Sequence, residues 1–200
     1  MEKRGELKVI TGCMFSGKTK KIAQIINQEK QPKSCYCYKP DTDNRGGTNY
    51  ISTNYGENIL ARALPFQAPE EIFNANNLPT TSEGVNSLII IDEAQFFPKE
   101  IVNVVQLLLE RGYDVIVAGL NLDFRGEPFG SMPQLMAMAN EVIELTAICN
   151  VCGEAAVRTQ RIINGEPAHY KDPLVLIGGS NKYEARCLRH HIVPGKPETA

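Results

Sequence analysis

The chain lacks any apolar run close to the ~20 residues a membrane helix needs, and its first residues, Met1-Glu2-Lys3-Arg4-Gly5-Glu6, have no apolar signal core behind them. It lacks a basic surplus as well. With 21 Lys+Arg against 23 Asp+Glu the net charge is −2, so nothing draws the whole chain to nucleic acid or to an anionic membrane. Internal repeats and low-complexity tracts are missing too. At 42% apolar and 22% charged residues, a disordered chain, a collagen-like chain and a coiled-coil rod are excluded. The expectation is a soluble cytoplasmic protein. Six cysteines, at 13, 35, 37, 149, 152 and 187, are then expected as reduced thiols rather than a disulfide framework. Two hundred residues suffice for one compact domain with a small appendage.

What is present alternates. Leu7-Lys8-Val9-Ile10-Thr11 is β-prone and meets Gly12 and a glycine-bounded loop, after which Ile22, Ile25 and Ile26 recur at helical spacing from Lys18 onward. Ser34 to Tyr38 reads as a strand ended by Pro40. Residues 41–58 are polar and read as a long loop with marginal local structure, and 76–86 read as loop again. Pro69-Glu70-Glu71-Ile72 opens a short helix. Ser87-Leu88-Ile89-Ile90-Ile91-Asp92 is an unbroken apolar run ending in an acid, as suits a strand covered on both faces. A helix with Ile101, Val104, Val105, Leu108 and Leu109 stops at Gly112, and Asp114 to Gly119 is the next buried strand. A methionine-rich helix over about 132–139 uses its methionines as core filler, and Val142 to Thr146 is one more strand. This pattern predicts an α/β fold, a parallel sheet with helices on both faces, and the glycine-bounded loop at 12–19 makes it of the P-loop (RecA-like) kind. From Cys149 the texture changes to short runs and turns. The predicted division is a domain over 1–147, a small metal-bound module over 148–193, and a loose tail over 194–200.

Gly12-Cys13-Met14-Phe15-Ser16-Gly17-Lys18-Thr19 fits G-x-x-x-x-G-K-[ST], directly after a strand and opening a helix. The glycines let backbone N–H groups wrap phosphates, Lys18 reaches the β/γ oxygens, and the Thr19 hydroxyl can ligate Mg²⁺. The helix start adds its positive dipole end. Asp92, closing an apolar strand, sits where such a protein keeps its Mg²⁺ carboxylate. Glu93 follows and would face the γ-phosphate, able to take a proton from water or from a substrate hydroxyl. ATP with Mg²⁺ follows from these residues; the acceptor does not.

Cys149-x-x-Cys152 and, 35 residues on, Cys187-x-x-His190 form two knuckles. Three thiolates and one imidazole make a closed structural zinc set, with His191 as an alternative fourth ligand. Between the knuckles, Asp172-Pro173-Leu174-Val175-Leu176-Ile177-Gly178-Gly179 is apolar and then doubly glycine. It reads either as a substrate lid or as an ordinary hairpin.

Taken together the chain resembles the thymidine kinases of the cellular and bacterial, zinc-containing P-loop type. The matches are the loop at 12–19; Lys39-Pro40 with Asp43 and Arg45; and Asp92-Glu93-Ala94-Gln95-Phe96-Phe97. They continue with Gly119-Leu120 through Asp123-Phe124-Arg125 to Pro128-Phe129-Gly130, then Leu145-Thr146-Ala147 before the first knuckle. Ile177-Gly178-Gly179 and Tyr183-Glu184 complete the series, in order from about 7 to 193. The resemblance implies ATP-dependent phosphorylation of the thymidine 5′-hydroxyl in nucleotide salvage, with Glu93 as the base and Asp92 and Thr19 on Mg²⁺. It implies ATP contacts along 12–19, at Asp43, Asn44 and Arg45, and along Asp92, Glu93, Ala94 and Gln95. Met14, Leu120 and Phe124 would wall the base, the backbone of Leu174, Val175, Leu176, Ile177 and Gly178 would hold it, and Tyr183 would lie near the sugar. It also implies a homotetramer and inhibition by thymidine triphosphate. Cys13 stands where proline is usual, Gly46 where an aromatic is common and Asn54 where histidine is common. The other reading of the same residues is a small zinc-containing P-loop ATPase in which Glu93 activates water.

Overall fold

The computed structural model describes residues 4–28, 34–43, 47, 49–52, 58–74, 78, 87–174 and 182–197. Strand β1 (Leu7–Gly12) runs through a tight loop into α1 (Lys18–Gln28), and β2 (Ser34–Pro40) follows. Three short strands come next, β3 (Tyr50–Ser52), β4 (Asn58–Leu60) and β5 (Arg62–Leu64), then a 3-10 turn at Pro69–Phe73. β6 (Ser87–Ile91), a 3-10 turn at Ala94–Phe96, α2 (Ile101–Glu110), β7 (Asp114–Gly119), α3 (Met132–Met138) and β8 (Glu141–Leu145) finish the larger part.

The strands form a six-stranded sheet in the order β5-β2-β6-β7-β1-β8, and every pairing in it is parallel. All five residues of β6 are buried because alternate side chains enter two different cores. Ile89 and Ile91 pack with α2 and α3, whereas Leu88 and Ile90 pack with Ile22 of α1 on the other face. Each such aliphatic side chain contributes about 1.5–3 kcal/mol on burial, so a polar residue at position 89 or 90 would open one core or the other. The stripe Ile101, Val104, Val105 and Leu108 faces the sheet, and α2 stops where Gly112 takes φ +83° and Tyr113 N–H donates to the Leu108 carbonyl. Met132 is fully buried and Met136 and Met138 pack against the same core, as expected of filler.

The reading of 41–58 as loop needs correction. Tyr50–Ser52 pairs antiparallel with Asn58–Leu60, and Ile51 is buried in the core beneath α1. Three-residue strands with one inward apolar side chain each are too short to show alternation in sequence. The predicted loop at 76–86 lies outside the described residues.

After β8 the chain builds a smaller antiparallel part: the hairpin β9 (Ala147–Ile148) with β10 (Ala155–Ala156), then β11 (Arg158–Ile163) between β12 (Glu166–Pro167) and β13 (Lys182–Arg186). It packs on the larger part through Cys13, which joins Cys149, Ala156, Ala185 and Cys187 in one cluster. Pro194 and Lys196 are tied back, the first accepting from Tyr170 N–H and the second donating from Nζ to the Arg125 carbonyl. No described helix is long and apolar enough to cross a membrane.

Candidate active site

Parallel strands bring their carboxyl ends to one edge of the sheet, and the loops that follow β1, β2, β6 and β7 meet there. The loop after β1 turns on backbone that only some residues tolerate: φ is +144° at Gly12, +85° at Gly17 and +65° at Phe15. A Cβ on Gly12 would lie 2.2 Å from the Leu145 carbonyl oxygen, so glycine is required where β1 passes β8. Lys18 is buried with its ammonium folded over the loop, donating to the Gly12 and Cys13 carbonyls at 3.1 and 3.0 Å. Thr19 is half-buried at the start of α1, and Ser16 Oγ is buried with no hydrogen-bond partner among the described residues. The second part of the molecule reaches this loop directly. Thr159 Oγ1 on β11 accepts from Met14 N–H at 3.0 Å, and Cys13 Sγ donates to the Ala156 carbonyl at 3.3 Å. Burial pushes the Cys13 thiol up.

Beyond β6, Asp92 is buried and its Oδ1 accepts from Glu93 N–H at 2.9 Å. Glu93 adopts φ +53°, a strained left-handed conformation for a side chain of its size, and turns the chain off the strand into Ala94–Phe96. Its carboxylate is also buried and accepts from Gln95 Nε2 at 2.5 Å, while Gln95 Oε1 accepts from Leu120 N–H at 3.0 Å. Leu120 follows Gly119, the register partner of Thr11 in β1, so one amide side chain links the acid to the strand end beside the phosphate-type loop. Ala94 is fully buried under this turn.

After β2, Asp43 N–H donates to the Pro40 carbonyl and its Oδ2 lies 3.9 Å from Lys39 Nζ. Lys39 is fully buried and donates to the Gly47 carbonyl at 2.6 Å. Asn44, Arg45, Gly46 and Asn54 lie outside the described residues.

The loop after β7 carries Leu120 and Phe124, both buried. Asp123 Oδ1 accepts from the N–H groups of Arg125 and Glu127, and Tyr170 OH donates to Glu127 Oε1 at 2.8 Å. Tyr183 on β13 is half-buried and, with Phe15, Ala147, Ile148, Asn150 and Ala185, lines a shallow cavity of about 350 Å³. Leu174 is exposed, and Val175, Leu176, Ile177 and Gly178 lie outside the described residues.

Of the expected site residues, the structure therefore gathers 12–19, Asp43, Asp92–Gln95, Leu120 and Phe124 around one end of the sheet, with Tyr183 of the smaller part lining a cavity together with Phe15. The family model for thymidine kinase matches residues 5–191. The chain belongs to the thymidine kinase family. A thymidine kinase of Coprothermobacter proteolyticus is 47% identical over 196 residues, spanning 98% of this chain and 94% of that protein. Among solved structures, the genome packaging NTPase B204 of Sulfolobus turreted icosahedral virus 2 has a TM-score of 0.49 at 16% identity, covering 72% of this chain and 76% of that one. The N-terminal domain of zonular occludens toxin from Neisseria meningitidis has a TM-score of 0.43 at 18% identity, covering 76% and 82%.

A second centre in this thymidine kinase family chain lies behind the loop. The ligand atoms of Cys149, Cys152, Cys187 and His190 all fall within 4.8 Å of one another. Cys149 Sγ is 3.8 Å from His190 Nδ1, Cys152 Sγ is 3.8 Å from Cys187 Sγ, and Cys187 Sγ is 3.2 Å from the same imidazole nitrogen. Bonds of about 2.3 Å from sulfur to a tetrahedral zinc put the sulfurs about 3.8 Å apart, so the set fits such an ion. His191 is not part of it: its Nε2 lies 2.9 Å from the Phe124 carbonyl oxygen, and burial lowers its basicity. Desolvation raises the Cys149 thiol, but the backbone amides of Cys187, Cys152 and Val151 outweigh it and bring the group down to about 6. All six cysteines are free of disulfides.

Sequence reasoning missed Thr159 and Arg161, which face the loop and Phe124 from β11. Neither sits in a spaced motif, and only the three-dimensional pairing of residues some 145 positions apart reveals the first.

Proposed function

We propose that the chain transfers the γ-phosphoryl group of ATP to the 5′-hydroxyl of thymidine and so yields thymidine monophosphate for nucleotide salvage. Membership of the thymidine kinase family supports this reading. The single structural observation that carries it is the buried Glu93 carboxylate, oriented by Gln95 at the sheet edge from which the 12–19 loop emerges.

In-line phosphoryl transfer asks the protein for positioning and charge stabilisation more than for covalent chemistry. The N–H groups of 12–19 cradle the triphosphate, and the Lys18 ammonium exchanges its two carbonyl partners for β- and γ-oxygens. Glu93 takes the proton of the attacking hydroxyl as its oxygen bonds to the γ-phosphorus, the bond to the β,γ-bridging oxygen breaks and ADP leaves. Asp43, with Asn44 and Arg45 beyond it, serves the donor phosphates, and Ala94 and Gln95 close the turn beside them. Met14, Leu120 and Phe124 wall the pyrimidine, the backbone from Leu174 through Val175, Leu176 and Ile177 to Gly178 hydrogen-bonds it, and Tyr183 borders the sugar. Thr19 and Asp92 are the Mg²⁺ ligands, and that ion supplies charge neutralisation on the phosphates. Zinc on Cys149, Cys152, Cys187 and His190 supplies a structural staple, since all four positions are protein ligands. In this reading 1–147 is the kinase domain, 148–193 the zinc-bound lid and 194–200 a tail. The working form is a cytoplasmic homotetramer inhibited by thymidine triphosphate; six cysteines outside any disulfide suit a reducing compartment.

The test is purified protein with Mg-ATP and thymidine, scored for thymidine monophosphate and separately for free phosphate. Thymidine-dependent monophosphate is the expected product. Free phosphate with no nucleoside product would make the chain an ATPase and overturn the reading.

A further inference from the structure

Arg161, in the middle of β11, is fully buried, yet it belongs to no motif and to neither centre described above. Its guanidinium carbon sits 3.8 Å from the centroid of the Phe124 ring. Nη1 donates to the Pro173 carbonyl at 2.7 Å and to the Leu174 carbonyl at 3.3 Å. Nε and Nη2 are buried and find no acceptor among the described residues. The register of the small sheet sets Arg161 directly opposite Tyr183, so both side chains leave the same face. Thr159, two residues earlier, shares that face and accepts from Met14 N–H.

A desolvated guanidinium is costly unless its donors and charge are compensated. Here the compensation is the π face of one aromatic ring and two successive carbonyls, and it is incomplete. An aliphatic side chain would pack against Phe124 without that cost. What an arginine adds, and a lysine does not, is a planar cation that stacks on a ring and grips the backbone in its own plane at the same time. The groups it joins are Phe124 and the Pro173–Leu174 backbone, and Tyr183 stands opposite it in the strand pair.

We propose that Arg161 is a positioning residue for the nucleoside pocket: it fixes the Phe124 ring by stacking and anchors the Pro173–Leu174 backbone, and so sets the distance between Phe124 and Leu174. The proposal rests on the reading of Phe124, Leu174 and Tyr183 as nucleoside contacts. Because Arg161 touches neither the phosphate loop nor Glu93, its removal acts on thymidine and not on ATP.

The experiment is steady-state kinetics of Arg161→Met and Arg161→Lys, with metal content and Tm measured alongside. Arg161→Met is expected to raise the thymidine KM about tenfold while the ATP KM stays within about twofold, and Arg161→Lys is expected to restore part of the loss. A double-mutant cycle with Phe124→Leu should be non-additive, since stacking cannot be lost twice. Unchanged thymidine KM in both Arg161 variants would overturn the proposal. So would a parallel rise in both KM values with a lowered Tm, which is the signature of a purely structural role. If Arg161→Met does not fold, Arg161→Lys and Arg161→Gln decide by the same split. Wild-type protein that makes no thymidine monophosphate would instead defeat the functional reading, before any variant is made.

Discussion

The side-chain amide of Gln95 holds the carboxylate of Glu93 at 2.5 Å, and its other end is fixed by the N–H of Leu120 at 3.0 Å. Both ends of the amide are thereby used inside the protein, and the acid is aimed by a residue that is itself buried. Gln95→Leu keeps the volume and removes the bond. A base misaimed by a fraction of an ångström loses rate and not binding, so kcat is expected to fall about ten- to a hundredfold with the ATP KM little changed. Steady-state kinetics with each substrate varied in turn checks it.

Glu93→Gln tests the acid itself. The amide keeps shape and hydrogen bonding but cannot take a proton at the required step. Phosphoryl transfer is expected to fall by about 10²–10⁴ while ATP binding, followed by calorimetry, stays measurable. Undiminished transfer would remove Glu93 from the role of base.

Gly130 is where backbone geometry protects this arrangement. Its φ is +52°, and a Cβ there would lie 2.4 Å from the carbonyl oxygen of Gln95, a backbone atom with little room to retreat. Gly130→Ala is therefore expected to destabilise the fold by about 1–3 kcal/mol and to lower activity by displacing Gln95. Thermal unfolding with kinetics at a temperature well below Tm separates the two effects.

How much of this was legible beforehand divides by range. The strand, loop and helix over 7–28, the acid after Ile91 and the two metal knuckles are local signals, and the structure reproduces each. Contacts that bind the two parts together were not legible. Thr159 to Met14 and Arg161 to Phe124 join residues far apart in sequence, and nothing in the spacing of either marks a partner. Tyr50–Ser52 and Asn58–Leu60 were hidden for another reason, because each offers only three residues to a periodicity argument. The order of the six strands depends on the same non-local pairings.

Cys37 is expected to make the central sheet sensitive to alkali. Desolvation, with Cys35 and Asp92 nearby, pushes its thiol from 9.0 up to about 12. The folded state thus keeps its proton where the unfolded chain has lost it. This contribution to stability is fully present below pH 9 and is lost as pH rises towards 12. Tm measured from pH 7 to 11 is expected to fall above pH 9, and Cys37→Ala should flatten that limb while lowering Tm at neutral pH through the cavity it leaves. An identical alkaline slope in the variant would assign the effect to other groups.

Metal removal should be felt at the phosphate loop and not only in the small part. Cys149 and Cys187 pack with Cys13, and Ala156, between the first knuckle and β11, accepts from Cys13 Sγ. Thr159 then accepts from Met14 N–H, so the loop over 12–19 is held from outside by two contacts whose strands a zinc on the Cys149, Cys152, Cys187 and His190 set would staple. Stripping the ion with a chelator frees residues 149–190 to open, and limited proteolysis should cut there first. The same treatment is expected to weaken ATP binding several-fold, with return on adding zinc. Thr159→Val supplies the comparison, because it deletes one of the two contacts while leaving the metal in place. Its loss of ATP affinity should be the smaller, about 0.5–1.5 kcal/mol for one hydrogen bond. If the chelator loosens 149–190 but ATP affinity does not move, the phosphate loop keeps its shape without the staple, and these two contacts only brace the lid.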